Sequence, residues 1–277
     1  LFKYGSLLLV DGTPAIDWYI TPNCNNNCFF CNYHDESKKT LSLERLIKVS
    51  KWIKDNFKGG VVSIIGGEPG LIKELGVIMN ELKDFKVLLN TNLNYKIESI
   101  LNCTYNCTIH IPESNLKLVE LNLSKIIESG NELNIKIMFN VDYNEIIESL
   151  YHKYVDLGIN VSIDSILFKD YPKYTFKKSQ DNRYVKANEP CSRNLLIEAA
   201  VEKNPYYGFS CAAGVNSVYI DYNADVYPCC TYKILRLKPM GNILANNVKF
   251  KQNNTCTLKN CFDFNVLKTS ESYHDFC

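Results

Sequence analysis

The chain predicts an α/β fold: a partial (β/α)6 parallel barrel followed by a small cysteine-rich β-hairpin and helix domain. Three observations carry that expectation. Short strand-like runs alternate with amphipathic helical stretches over residues 15–167. Six such units are too few to close an eight-stranded barrel. Seven of the twelve cysteines fall from Cys191 onward. The strand candidates are Ala15–Ile20, Val61–Ile65, Lys86–Asn90, Cys107–Ile111, Asn134–Asn140 and Ile159–Leu167. Each is rich in Ile, Val, Leu or aromatics and bounded by Gly, Pro, Asn or Asp. A helix over 42–53 places Leu43, Leu46, Ile47, Val49 and Ile53 largely on one stripe, with Ser42 as N-cap. Further helices fit Leu71–Leu82, Leu118–Ser129 and Tyr143–Leu157, the last closed by Gly158. Right-handed crossovers then put the chemistry at the carboxyl ends of the strands. The expected division is a barrel over 1–167, a Lys/Tyr-rich connector over 168–190, read as a solvated linker, and an appended unit over 191–277. In that unit Ser217–Tyr227 fits a hairpin turning at Asn223-Ala224-Asp225.

Composition narrows the function. Lys+Arg 31 against Asp+Glu 30 leaves +1, so no global field draws the chain to nucleic acid or an anionic membrane. No run of about 18 apolar residues is present to span a bilayer. The first ten residues lack a signal-peptide core and cleavage site, so a cytoplasmic location is expected. In a reducing compartment, clustered cysteines point to metal or redox chemistry rather than disulfides. Asparagine is about one residue in nine, and the run Asn25-Asn26-Asn27 reads as compositional bias.

The sharpest signal is Cys24-Asn25-Asn26-Asn27-Cys28-Phe29-Phe30-Cys31, directly after the first strand. Three thiolates on one short loop can hold a cuboidal iron–sulfur cluster and leave its fourth iron without a protein ligand. Structural zinc, with His34 as fourth ligand, is the alternative. The second strand ends in Gly66-Gly67-Glu68-Pro69, where paired glycines admit close backbone approach to a ligand and Glu68 can accept from a cationic amine.

Together these residues resemble the radical S-adenosylmethionine (SAM) superfamily, with Thr91-Asn92 after the third strand as weaker support. Where that family often has Gly after Thr-Asn, this chain has Leu93. The resemblance implies a [4Fe-4S] cluster on Cys24, Cys28 and Cys31, with an open iron chelated by SAM. It implies that Gly66, Gly67, Glu68 and Pro69 hold the amine, that Phe30 lies against the adenine, and that Thr91, Asn92 and Asn140 are further cofactor contacts. His110, at a strand end facing the barrel mouth, is a candidate catalytic contact; Cys103 and Cys107 read as ordinary buried thiols.

The later cysteines resemble the SPASM/twitch extension of the same superfamily, in which a cysteine-bracketed hairpin and a later cysteine pair bind an auxiliary cluster. That implies one auxiliary iron–sulfur cluster on Cys211, Cys229, Cys256 and Cys261, with zinc as the alternative. A second cluster is left open if Cys191, Cys230 and Cys277 also serve, and Cys191 is a candidate hydrogen-atom donor. Two departures stand out: Asn223 occupies a usual hairpin glycine position, and the late pair is C-x4-C. The implied activity is reductive SAM cleavage to a 5′-deoxyadenosyl radical that takes hydrogen from a substrate. A ribosomally made peptide is expected as that substrate, and a small-molecule dehydrogenase is the runner-up. An external reductant such as flavodoxin or ferredoxin is implied. Only about 23 residues precede Cys24, so a leader peptide would be captured by a separate protein or a sheet edge. A non-catalytic iron–sulfur or zinc protein remains a third class, but Gly-Gly-Glu-Pro gives an electron carrier no use for its amine-binding loop.

Overall fold

Side chains alternate across parallel strands, and that alternation gives this sheet one apolar face that builds the main core. The computed structural model describes residues 13–28, 31, 39–165, 175–178, 184–187, 211, 213–251, 256 and 258. Strands β1 (Ala15–Thr21), β2 (Val61–Gly66), β3 (Lys86–Thr91), β4 (Thr104–Ile109), β5 (Leu133–Phe139) and β6 (Asn160–Ser165) pair in parallel, in chain order. Helix α1 (Leu43–Asn56) joins β1 to β2, and α2 (Leu75–Glu81) joins β2 to β3. Helices α3 (Leu116–Glu128) and α4 (Asn144–Asp156) serve β4–β5 and β5–β6, while β3 passes to β4 without one. The sheet does not close, as expected of a partial barrel.

One face carries Ile16, Trp18, Ile20, Val62, Ile64, Val87 and Leu89 into a single core with Leu46, Val49 and Ile53 of α1 and Val119, Leu123 and Ile126 of α3. Cys107 lies in that core, 1% exposed. The opposite face packs Tyr19, Tyr219 and Ile65 at the β1, β2 and β9 end and carries a polar row across β3 to β6. Asn90, Asn106, Asn134 and Asn160 stand in register across β3 to β6. Their amides form a ladder: Asn160 to Asn134 at 2.8 Å, Asn134 to Asn106 at 3.0 Å, Asn106 to Asn90 at 3.4 Å, and Asn90 to Ser63 at 2.9 Å.

Several boundaries differ from expectation for local reasons. The 71–82 helix splits into a 3-10 turn at Pro69–Leu71 and α2, because Glu68 caps the turn by accepting from Gly70 N–H. β4 begins at Thr104, since Thr104 and Tyr105 already pair with Leu88 and Leu89. Ser42 occupies the N-cap of α1 but its hydroxyl makes no capping bond. Gly158 closes α4 as expected, with φ +75° and its N–H on Val155 C=O.

The connector is more structured than a linker. It forms an antiparallel pair, β7 (Thr175–Lys178) with β8 (Tyr184–Ala187), consistent with the β-forming Thr175, Phe176, Tyr184 and Val185. Beyond it, β9 (Ser217–Ile220) and β10 (Asp225–Tyr227) form the expected hairpin, followed by α5 (Cys230–Ile234) and β11 (Gly241–Asn242). This hairpin continues the barrel sheet, because β9 pairs in parallel with β1, Ala15 opposite Ser217. The turn is Asp221–Ala224, beginning two residues earlier than expected. Asp221 Oδ1 accepts from the N–H groups of Asn223 (2.9 Å) and Asp225 (3.0 Å), and Ala224 takes φ +67°. The left-handed position thus falls on Ala224, and Asn223 needs no glycine. Among the described residues no helix is long and apolar enough to cross a membrane.

Candidate active site

The cysteine loop is built onto the end of β2. Gly67 N–H donates to Thr21 C=O and Glu68 N–H to Asn23 C=O, both at 2.7 Å. A Cβ on Gly67 would lie 2.2 Å from the Asn23 carbonyl oxygen, and one on Gly66 would lie 2.6 Å from that of Thr21. The close approach these glycines permit is therefore to the cysteine loop itself. Gly70 plays the same part against Tyr95, whose ring carbon would meet an added Cβ at 1.9 Å.

Glu68 is fully buried and turned inward. Its carboxylate accepts from Gly70 N–H (2.8 Å), Thr91 hydroxyl (2.8 Å) and Asn92 N–H (2.6 Å). Burial pushes its pKa up to about 7, against the lowering effect of those three donors. In this arrangement Glu68 ties the β2 loop to the end of β3. Pro69, also buried, starts the 3-10 turn beside it. Thr91 in turn accepts from Leu93 N–H at 3.1 Å. Leu93 takes φ +52°, the left-handed backbone that a glycine would adopt freely, while its side chain is fully buried.

Asparagines lock the cysteine loop to the end of β3. Asn92 Nδ2 donates to Asn25 Oδ1 (2.9 Å) and reaches Cys24 Sγ (3.8 Å). Asn94 Nδ2 donates to Asn26 Oδ1 (2.7 Å) and to Glu113 C=O (3.3 Å), while Asn25 Nδ2 donates to Asn94 C=O. Asn25 and Asn26 are thus structural, and the reading of their run as compositional bias is corrected.

Cys24 and Cys28 are half-buried and Cys31 is exposed. Burial raises the Cys24 thiol, and the neighbouring Glu68 and Cys31 charges add to that. Cys28 is pushed up to about 12 by burial first, then by Glu113, Cys24 and Cys31. Cys24 and Cys28 are thereby disfavoured as thiolates, and a bound metal would be needed to hold them in that form. Among the described residues no three side chains of His, Cys, Asp or Glu stand preassembled as a metal cage. The donor set, three soft sulfurs coupled on one loop at a sheet's carboxyl edge, fits an iron–sulfur cluster.

Residues 18–173 match the radical SAM superfamily, more than half of the chain. The chain belongs to the radical SAM superfamily. A protein of Methanocaldococcus jannaschii named for glycyl-radical enzyme activation is 26% identical over 169 residues, 59% of this chain and 61% of that protein. A protein of Methanococcus aeolicus named as a GTP 3′,8-cyclase is 27% identical over 153 residues, 46% of this chain and 50% of its own. The chain thus spans half to three-fifths of these relatives. Among solved structures, anSMEcpe with bound AdoMet superposes with a TM-score of 0.58 at 17% identity, covering 92% of this chain and 88% of that one. Streptococcus suis SuiB bound to its precursor peptide SuiA superposes at 0.53 and 17% identity, covering 84% and 63%. At these identities the likeness is one of fold.

Membership of the superfamily implies a [4Fe-4S] cluster and SAM, and Cys24, Cys28, Gly66, Gly67, Glu68, Thr91 and Asn92 are gathered at one sheet edge. His110 follows β4, its N–H on Ser114 Oγ (3.1 Å); burial and then Lys136 hold its pKa down to about 4. Asn140 caps the 3-10 turn Val141–Tyr143 through Asp142 N–H (3.1 Å) and donates to Ile111 C=O (3.3 Å). Among the later cysteines, Cys211, Cys229 and Cys256 share one buried cluster with Ala213 and Leu258. Cys230 packs instead with the tyrosines Tyr19, Tyr219, Tyr222 and Tyr227. Phe30, His34, Cys191, Cys261 and Cys277 lie outside the described residues.

Sequence reasoning missed Asn94, Gly70 and Glu113. Gly70 extends Gly-Gly-Glu-Pro by one residue, and Glu113 follows a strand at the edge where the chemistry was expected. Those positions were the available signals. Nothing in the pattern singles out Asn94 among so many asparagines.

Proposed function

We propose that this radical SAM enzyme abstracts hydrogen from a ribosomally synthesised peptide, with Cys24, Cys28 and Cys31 holding the catalytic cluster. The observation that carries the cluster assignment is the seating of the cysteine loop on Gly66-Gly67-Glu68, backbone to backbone. When bound and reduced, the cluster supplies the electron that splits SAM into methionine and a 5′-deoxyadenosyl radical. The protein's own residues shape that site. Glu68 spends its carboxylate on Gly70, Thr91 and Asn92, so the backbone of 66–69 is left to meet the cofactor amine. Phe30 against the adenine and Asn140 near the cofactor belong to the same proposal.

The peptide assignment draws on the fold shared with SuiB, which was captured with its precursor peptide. The polar row on the sheet agrees with it: a ladder of asparagine amides offers the donors and acceptors that a peptide backbone pairs with. Cys211, Cys229 and Cys256 sharing one buried cluster supports an auxiliary iron–sulfur site over 191–277, with Cys261 as fourth ligand. An external flavodoxin or ferredoxin would supply electrons. A second reading, small-molecule chemistry, draws on the relative named as a GTP cyclase. Deuterium transfer into 5′-deoxyadenosine separates the two. Label arriving from deuterated peptides supports the proposal, and label arriving solely from small molecules refutes it.

A further inference from the structure

Helix α5 ends in a turn whose residues run against its own geometry. The turn is a Schellman motif: Leu237 N–H donates to Tyr232 C=O (2.8 Å) and Arg236 N–H to Lys233 C=O (3.0 Å). Arg236 takes φ +55°, the left-handed position where glycine is the usual residue. The apolar residue after it commonly folds back onto the helix, yet Leu237 stays 39% exposed. Ile234 and Leu235 are exposed as well, so three of the eleven large apolar side chains exposed among the described residues fall within four positions. Single exposed apolar residues are ordinary, whereas a contiguous group marks a contact surface.

Positive charge collects in the same place. Between Asp225 and Asp263 the sequence holds no Asp or Glu, while Lys233, Arg236, Lys238, Lys249, Lys251 and Lys259 fall there. At the chain's overall acidic frequency, 30 in 277, that stretch would carry about four acidic residues. Two of the cations are engaged internally: Lys233 with the buried Asp221 carboxylate and the rings of Tyr222 and Tyr227, and Lys251 with the Tyr232 hydroxyl (3.0 Å). Arg236 and Lys238 are exposed on either side of Leu237, and no carboxylate among the described residues pairs with them.

This surface lies beside the buried cysteines. Cys229 is the N-cap of α5, and Tyr232 on the same helix packs against the group of Cys211, Cys229 and Cys256. A helix of five residues rises roughly 7.5 Å, so the exposed turn is close to those sulfurs. A small apolar tip flanked by cations is too slight for a permanent interface. It has the make-up of a brief electron-transfer contact, in which complementary charge guides the encounter. Residues 234–238 include no aromatic ring on which a nucleic-acid base could stack.

We propose that residues 234–238 dock an acidic one-electron carrier protein of the ferredoxin kind beside the auxiliary cluster. Arg236 and Lys238 meet its carboxylates, and Ile234, Leu235 and Leu237 form the dry centre of the contact. The reduced carrier loses one electron and the auxiliary cluster gains it, with no bond made or broken. The inference rests on the reading of Cys211, Cys229 and Cys256 as an auxiliary iron–sulfur site.

The test is a calorimetric titration of the full chain, reconstituted anaerobically with iron and sulfide, with an acidic ferredoxin. It is run at ionic strengths of about 10 and about 150 mM, between which the screening length falls from about 30 to about 8 Å. The wild type should bind about tenfold more tightly at the lower salt. Arg236→Glu combined with Lys238→Glu should weaken binding there about tenfold and remove the salt dependence. Leu235→Ser combined with Leu237→Ser should weaken binding to a similar extent at both salts. Lys117→Glu, a charge reversal on α3, should leave the affinity within about twofold of wild type. Unchanged affinity in the Arg236 and Lys238 double variant at full iron content overturns the inference. So does a wild type that ignores ferredoxin, or that binds single-stranded DNA or phosphatidylserine vesicles in its place. A wild type holding about four irons rather than about eight refutes the auxiliary cluster instead, so the two failures are distinct.

Discussion

Two groups of cysteines in this molecule carry the same side chain in opposite surroundings. Cys24, Cys28 and Cys31 sit half-buried to exposed on a loop laced by asparagine amides. Cys211, Cys229 and Cys256 are each 5–6% exposed, packed with Ala213 and Leu258. The polar loop keeps sulfur within reach of solvent and ligand, as exchange of a cofactor requires. The apolar pocket seals its sulfurs away, which suits a cluster that stores or passes electrons and binds no substrate directly. What surrounds the thiols, more than their spacing, sets the two groups apart.

The sharpest way to break this comparison is to count iron. With both clusters filled, the reconstituted chain should hold about eight irons. Substituting alanine for Cys24, Cys28 and Cys31 should remove about half, and the same substitution at Cys211, Cys229 and Cys256 should remove the other half. Iron lost entirely from either variant would mean that the groups do not load independently.

Gly67→Ala sharpens the comparison on the polar side. The added methyl meets the Asn23 carbonyl at 2.2 Å, backbone that cannot swing aside. The expected cost is roughly 3 kcal/mol in urea unfolding, with iron lost from the first site alone.

Asn94→Ala should cost about 2 kcal/mol. It strips donors from Asn26 Oδ1 and Glu113 C=O and the acceptor of Asn115 N–H. An effect confined to the buried cysteines would contradict the asparagine lattice as the support of the first loop.

His110 gives the most pH-specific effect. Its folded pKa is held near 4, below the ordinary 6.5. Its contribution is therefore full above pH 6.5 and is lost as pH falls toward 4. His110→Gln should flatten the acid side of the stability profile by about 3 kcal/mol at most. An unchanged profile would mean that His110 is not held neutral by burial.

The barrel was legible because its strands are short apolar runs between helices of clear periodicity, and Ile16, Trp18 and Ile20 all reach the core that pattern implies. The pairing of β9 with β1 was not legible, since two hundred residues separate Ala15 from Ser217 and no local signal encodes a distant partner. Cys24, Cys28 and Gly67 stood out because their chemistry is rare. Asn94 and Glu113 did not, because their roles come from which loops the fold brings together. Glu68 stood out within Gly-Gly-Glu-Pro, yet spacing alone could not tell that its carboxylate turns inward.

One assay bears on the central claim most directly: 5′-deoxyadenosine formation by the anaerobic, dithionite-reduced chain given SAM. The wild type and the variant lacking Cys211, Cys229 and Cys256 should both produce it, while the variant lacking Cys24, Cys28 and Cys31 should produce none. Product from that last variant at the wild-type rate would contradict the account.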